Sequence, residues 1–321
     1  MEVHGGLVGG STVTAGVGLL PPSGAPFETA SGLESPALSS WYFGDGAKWL
    51  NGDISNLEPS KKITPLDTVL TEGAASRTHG ASFGGRVAYA LTRRLDVEFA
   101  VDRSVGDFNV TSTTLTGLQS SASTFMSAWS YLLSSLSSSP FVTSQLSGTV
   151  HPGSQTFSTV ALNVFSRRGR YSAYLTGGGG VVVNRGDVSA LLSGNLQYAA
   201  DNLSKTEVDA VAVGFSEAHE QPVIVVGAGV LADLTARMGF RLDLRVYVSG
   251  NPERTTVSAS PSTTGTPTVD DLVSLNGYTF QFSGVPGTPS TLSVPVTNFQ
   301  TFTGTGLRKQ TALTVGYYFR F

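Results

Sequence analysis

TALTVGYYFRF, Thr311 to Phe321, alternates apolar and aromatic side chains with polar ones up to the last residue. Thr311, Leu313, Val315, Tyr317, Phe319 and Phe321 fall on one face of an extended chain. Gln310, Thr314, Tyr318 and Arg320 fall on the other. A period of two is that of a strand. Termini of water-soluble domains usually fray into polar residues, so a terminal strand this apolar calls for apolar surroundings.

The same alternation recurs in pairs of segments joined by very short turns. HGASFGGRVAYALTRRLDVEFAVDRS (79–104) turns near Thr92 to Arg94, TFSTVALNVFSRRGRYSAYLTGGGGVVV (156–183) at Arg167 to Arg170, and PVIVVGAGVLADLTARMGFRLDLRVYVSG (222–250) near Thr235 to Arg237. With EVHGGLVGGSTV at the start, the count is eight strands, near 2–14, 79–92, 94–104, 156–166, 170–184, 222–234, 237–249 and 307–321. Long loops near 15–78, 105–155, 185–221 and 250–306 alternate strictly with the short turns. Eight strands of about ten residues, short turns on one side and long loops on the other, predict a single all-β unit over 1–321: an antiparallel up-and-down transmembrane barrel.

Face chemistry agrees. Phe240, Leu242, Leu244, Val246 and Val248 alternate with Arg241, Asp243, Arg245 and Tyr247; Leu95, Val97, Phe99 and Val101 alternate with Asp96, Glu98, Ala100 and Asp102. In a soluble sandwich the charged face would meet water; in lipid the apolar face turns outward and the charge is hidden inside. Charged residues make up 13% of the chain, against roughly 25% in soluble domains. No apolar run reaches the length of a membrane helix. MEVHGGLVGG lacks the basic start and apolar core of a signal peptide, so an exported protein would be numbered here from near its mature terminus.

RVAYALTRRLDVEFAVD, VGAGVLADLTARMGFRLDLRVYV and ALTVGYYFRF resemble the OmpA/OmpX-type eight-stranded outer membrane barrels. The resemblance implies a bacterial outer membrane location, with periplasmic termini and extracellular loops. It also implies that Tyr317, Phe319 and Phe321 are read by the barrel assembly machinery. Outer membrane lipid would be the other standing partner.

Several motifs invite other readings. Gly227, Gly229 and Ala232 in VIVVGAGVLA have the spacing of a dinucleotide-binding turn, but strand alternation resumes where that chemistry needs a helix N-terminus. GGGG at Gly177 to Gly180 lacks the Lys and Ser/Thr of a phosphate loop and reads as strand. His4, His79, His151 and His219 are not spaced as metal ligands; His79 with Ser82 and His151 with Ser154 form no recognisable catalytic pair. Without cysteine there is no thiolate chemistry, and a net charge of −3 gives nucleic acid no purchase. No cofactor, metal or enzymatic activity is expected.

The loops carry their own signals. Leu115, Leu118, Ala122, Phe125, Trp129, Leu132 and Leu136 have helical spacing. Val188, Leu191, Leu192, Leu196, Ala199 and Leu203 suggest a second helix capped by Asp187. SSWYFGDGAKWL concentrates Trp41, Tyr42, Phe43 and Trp49, which with Phe125 and Trp129 are candidate contact residues of an extracellular cap, or else its internal core. ASPSTTGTPT reads as surface loop, and GYTFQFSGV with STLSVPVTNFQTF as a hairpin extending the wall.

Inside the barrel, Arg86, Arg241, Arg245 and Arg320 are predicted to balance Asp96, Glu98, Asp102 and Asp243, with Glu2 beside Arg320. An eight-stranded wall encloses a space that side chains just fill, so a closed lumen is expected. The functional expectation is a structural or adhesive barrel whose cap binds a surface, another protein or a second copy. A small pore comes next, then an outer membrane enzyme acting on lipid or protein.

Overall fold

The structure, a computed structural model, describes residues 1–12, 15–29, 31–57, 59–134, 141–166, 169–200, 203–265, 270–275, 278–283 and 287–321. Eight strands form the barrel: β1 Glu2–Val8, β2 Gly80–Ala90, β3 Leu95–Val105, β4 Phe141–Phe165, β5 Tyr171–Ala200, β6 Glu220–Asp233, β7 Met238–Gly250 and β8 Leu307–Phe319. Each pairs antiparallel with its neighbour in the chain, and β8 pairs with β1, closing the ring. Closure leaves no strand edge, the condition for a sheet to cross hydrocarbon. The 11 residues of β2, tilted by about 40°, rise roughly 28 Å, enough for the apolar band of such barrels.

The faces are inverted relative to a soluble protein. Leu242 and Leu244 are 50% and 48% exposed, whereas Arg241, Asp243 and Arg245 are 5%, 1% and 1% exposed. Val3, Leu7, Phe83, Val87, Phe99, Val160, Leu175, Ile224, Leu313 and Val315 join them on the outside. This is a transmembrane β-barrel.

Beyond the barrel the chain departs from the expected boundaries. The β1 ladder stops at Val8, and Ser11–Thr12 pairs instead with Ala75–Arg77, which pairs with Phe108–Val110. β4 and β5 continue far past the barrel rim, paired from Phe165↔Tyr174 up to Phe141↔Gln197. The helix expected over Val188 to Leu203 is therefore absent: Val188 to Ala200 belong to β5. Val188, Leu192 and Leu196 are four apart, a spacing that satisfies a helix turn and an even strand period alike. The available edge of β4 decides for the strand. Their side chains are buried with Ala190, and Leu191 on the other face is exposed. Asp187 caps nothing; it pairs with His151 at 3.0 Å. Where β5 leaves the barrel, Gly186 takes φ +108°, a conformation open to glycine, opposite a break in register between His151 and Ser154.

The cap is built on this extension. Strand Leu203–Glu217 pairs with β5, then Glu253–Ala259, Val296–Gly304 and Gly16–Gly18 follow outward. Helices α2 Asp67–Thr71 and α3 Ser112–Leu133 pack on this sheet, and α1 Gly44–Leu57 packs on α3. The helical loops are thus the first and second, not the second and third. In α3, Thr111 caps the start by accepting from the Thr114 amide at 3.3 Å, and Leu118, Ala122, Phe125, Trp129 and Leu132 are buried. Leu115 is exposed, and Leu136 lies outside the described residues. The hairpin expected in the fourth loop does not form. Tyr278–Ser283 pairs with Asp270–Leu275, and Val296–Gly304 pairs with Glu253–Ala259. Within ASPSTTGTPT, Ser262–Gly265 is a strand on Leu203–Glu217, and 266–269 lie outside the described residues.

Leu244 sits mid-strand on the outer face, opposite Ala228 and Leu313. Leu244→Arg is expected to cost roughly 2–4 kcal/mol of stability in lipid vesicles, read from urea unfolding. Unchanged stability would contradict the lipid-facing assignment.

Candidate functional site

Alternation turns every second residue of β1, β2, β3 and β7 inward, and there the charges meet. Glu98 receives Arg241 Nη1 and Arg245 Nη2, each at 2.5 Å, with Arg86 Nε at 4.0 Å. Asp243 pairs with Arg86, and with Arg241 and Arg245 at 3.1 and 3.0 Å. Glu2 reaches Arg86 at 3.4 Å and Arg241 at 3.2 Å. Asp102 accepts from the Tyr247 hydroxyl at 2.8 Å and meets His4 Nε2, whose other ring nitrogen faces Glu2 at 3.5 Å. Desolvating a charge is costly unless Coulomb attraction and hydrogen bonds repay it. Sharing each carboxylate among several cations is how this interior does so.

Glu2, Arg86, Glu98, Asp102, Arg241, Asp243 and Arg245 thus meet in one cluster, and one expected pairing is corrected. Arg320 does not meet Glu2; it forms a two-armed ion pair with Asp233, both contacts at 2.8 Å. Arg320 lies beyond the last ladder residue, and its amide donates to the Arg237 carbonyl at 2.7 Å, drawing it to the β6–β7 turn. Asp96 is buried at the same end, lining a cavity of about 430 Å³ with Glu2, Arg86, Asn163, Arg241 and Arg320. Strand parity could have found His4 and Tyr174. The latter accepts Arg241 Nε at 2.5 Å and lies under its guanidinium. A Cβ at Gly229 would collide with the Tyr174 hydroxyl, so the glycine spacing that mimics a nucleotide motif clears room for that ring inside β6.

Two further layers stack toward the loop end. Phe157 lies on Tyr247 with ring centroids 4.3 Å apart, and Val8, Val182, Val223, Val225 and Ala312 complete an apolar cluster. Above it, Glu217 bridges Arg77 Nε at 2.8 Å and Arg308 Nη1, while Arg77 Nη2 donates to the Arg185 carbonyl at 3.0 Å. Glu253 accepts the Ala74 and Ala75 amides, both at 2.7 Å. Arg77, Glu217 and Glu253 lie in loops by sequence, where no periodicity marks them.

In the cap, Trp41, Tyr42, Phe43, Phe125 and Trp129 are buried and Trp49 packs against them, so these residues form its core and not a contact surface. Trp41 meets Trp129 edge-on at 5.1 Å, and Tyr42 stacks on Phe125 at 4.5 Å. Beneath Trp41 lie two acids that hydropathy reading missed. Glu207 Oε1 accepts the Trp41 indole N–H at 2.7 Å, and Asp209 Oδ2 accepts the Trp41 amide at 2.6 Å and the Ser40 hydroxyl at 3.0 Å. Burial pushes Glu207 up to about 8 and Asp209 up to about 7, against the donated hydrogen bonds. Burial and the nearby Asp209 carboxylate also raise the Tyr42 phenol.

No protein-family model and no curated protein matches the sequence. Solved structures that match it include the following three. CarO of Acinetobacter baumannii matches at 11% identity over 77% of this chain and 97% of its own, with a TM-score of 0.24. LpxR of Salmonella typhimurium matches at 9% identity over 99% and 100%, TM-score 0.22. The Pseudomonas putida toluene transporter TodX matches at 8% over 99% and 88%, TM-score 0.19. At such scores the likeness carries no argument; the fold of this chain rests on its own strand pairings.

Arg245→Ala leaves Glu98 and Asp243 short of a partner and is expected to cost about 3–5 kcal/mol. The added change Glu98→Gln should recover part of it in far-UV dichroism unfolding curves. Trp129→Ala empties the centre of the cap, and about 3–5 kcal/mol of cap stability should go with it. Loop proteolysis should then accelerate while the barrel stays protected.

Proposed function

We propose that this chain is an outer membrane barrel of the OmpA/OmpX type, closed through its lumen, that acts through its cap. Termini and short turns face the periplasm and the cap faces outward. The work is structural or adhesive contact with a surface, another protein or a second copy, without catalysis. The single observation that supports this reading is the stacked interior: a shared ion-pair layer, an aromatic and aliphatic layer, then the Arg77–Glu217–Arg308 bridge. A pore keeps its wall charges hydrated, whereas here each lumen arginine is committed to carboxylates of the protein. Burial of the cap aromatics directs the contact role to the polar outer surfaces of the cap. On the turn end, Phe240, Tyr317 and Phe319 pack edge-to-face on the outside, as a girdle at a membrane interface does. The same Tyr317 and Phe319, with Phe321, are the residues proposed to be offered to the assembly machinery.

Single-channel recording in planar bilayers tests the closed lumen. The purified full chain is expected to give no stable conductance, and Arg77→Ala is expected to leave it silent, because the charge layer beneath still blocks. Steady channels from the unmodified protein would replace this reading with the small pore.

A further inference from the structure

The acids beneath Trp41 differ from every carboxylate in the lumen. Glu207 and Asp209 are two apart on one strand, so both point into the cap core, and they are 0% and 1% exposed. Among the described residues neither has a cationic partner. One oxygen of each is bonded to the Trp41 segment, and the others, Glu207 Oε2 and Asp209 Oδ1, have no hydrogen bond. Thr263 stands directly across the ladder from Glu207, and its hydroxyl is unbonded too. A pair of ionised carboxylates in such a place, each repelling the other, is among the costliest arrangements a core can hold.

Among the described residues the surroundings offer no relief. α3 and residues 188–200 of β5 carry no charged side chain, and neither does Ser262–Gly265. Lys48 of α1 is exposed. Among the described side chains, the Tyr42 phenol also lies near Asp209, and its hydroxyl is engaged with Ser144 at 2.8 Å. The side chains of Lys205, Asp270 and Asp271 lie outside the described ones.

We propose that Glu207 and Asp209 form a proton-held latch, seating the Trp41 segment on the cap sheet while they are neutral and releasing it when they ionise. Neutral carboxyls keep their bonds to the Trp41 indole and amide and can turn their own protons toward the unbonded oxygens nearby. Ionised, the pair gains stability by reaching water, which it does only if the Trp41 segment lifts. On opening, the two protons pass to solvent. The closed cap thus binds protons that the open cap loses, so closure is complete in acid and weakens as pH rises from the ordinary carboxylate range toward about 8. Lifting takes Trp41 out of its ring contacts with Trp129 and Phe280. The latch needs only the cap, so it stands whatever the lumen conducts.

The chain has three tryptophans, Trp41, Trp49 and Trp129, all in the cap, so its tryptophan emission reports the cap alone. The full chain, refolded in detergent micelles, is titrated from about pH 5 to about pH 9 while emission maximum and acrylamide quenching are followed. Emission should be blue and quench-resistant in acid, then shift reversibly to the red with a several-fold rise in quenching. In Glu207→Gln/Asp209→Asn it should stay blue throughout. A flat titration of the unmodified protein overturns the latch, and so does a transition that persists unchanged in the double variant. Should that variant not fold, Trp41→Phe decides. Losing the indole donor that helps seat the segment should move the midpoint downward in the remaining tryptophan signal, and an unmoved midpoint overturns the proposal.

Discussion

In hydrocarbon a backbone amide has no partner but another backbone group, and the ladder between β4 and β5 is where this chain meets that demand. Those two strands pair within the ring of eight and then keep climbing, so one hairpin is both a part of the barrel wall and the foundation of the cap. Everything above the rim depends on it. Leu203–Glu217 needs the free edge of β5 that appears where β6 ends, and each later strand needs the one before. The helices then cover a face that exists only because the sheet does.

Closure also dictates the interior. Eight strands leave room for side chains and little else, so whatever points inward must pack and be neutralised in place. Arginine suits this role: its planar fork reaches two carboxylates at once, as Arg241 and Arg245 do with Glu98 and Asp243. Such a network adds little net stability over an apolar filling, but it is intolerant of losing a member.

The cap solves a different problem with the opposite chemistry. It meets water, yet it holds a fully buried aromatic core with two acids and no described counter-ion. Within one chain, buried carboxylates are thus kept in two ways: paired with arginine in the membrane span, and held by neutral donors from the Trp41 segment above it. The second is sensitive to moderate pH by construction.

The sequence by itself determined the barrel. Alternation over Phe240 to Val248 and Thr311 to Phe321, short turns alternating with long loops, and charges confined to one parity leave one arrangement that buries every charge and bonds every amide in lipid. Parity also placed Arg86, Glu98, Asp102, Asp243 and Arg245 together, because a closed small barrel gives inward residues nowhere else to go. Tertiary structure alone decided the rest. Val188, Leu192 and Leu196 suit helix and strand equally, and only the edge of β4 settled it. Arg320 took Asp233 in place of Glu2 because a hydrogen bond to the next turn pulled it aside. Glu207, Asp209, Arg77 and Glu217 sit in segments where polar residues read as solvated loop. Their burial depends on chain folded over them from far away in sequence, and local pattern carries no record of that.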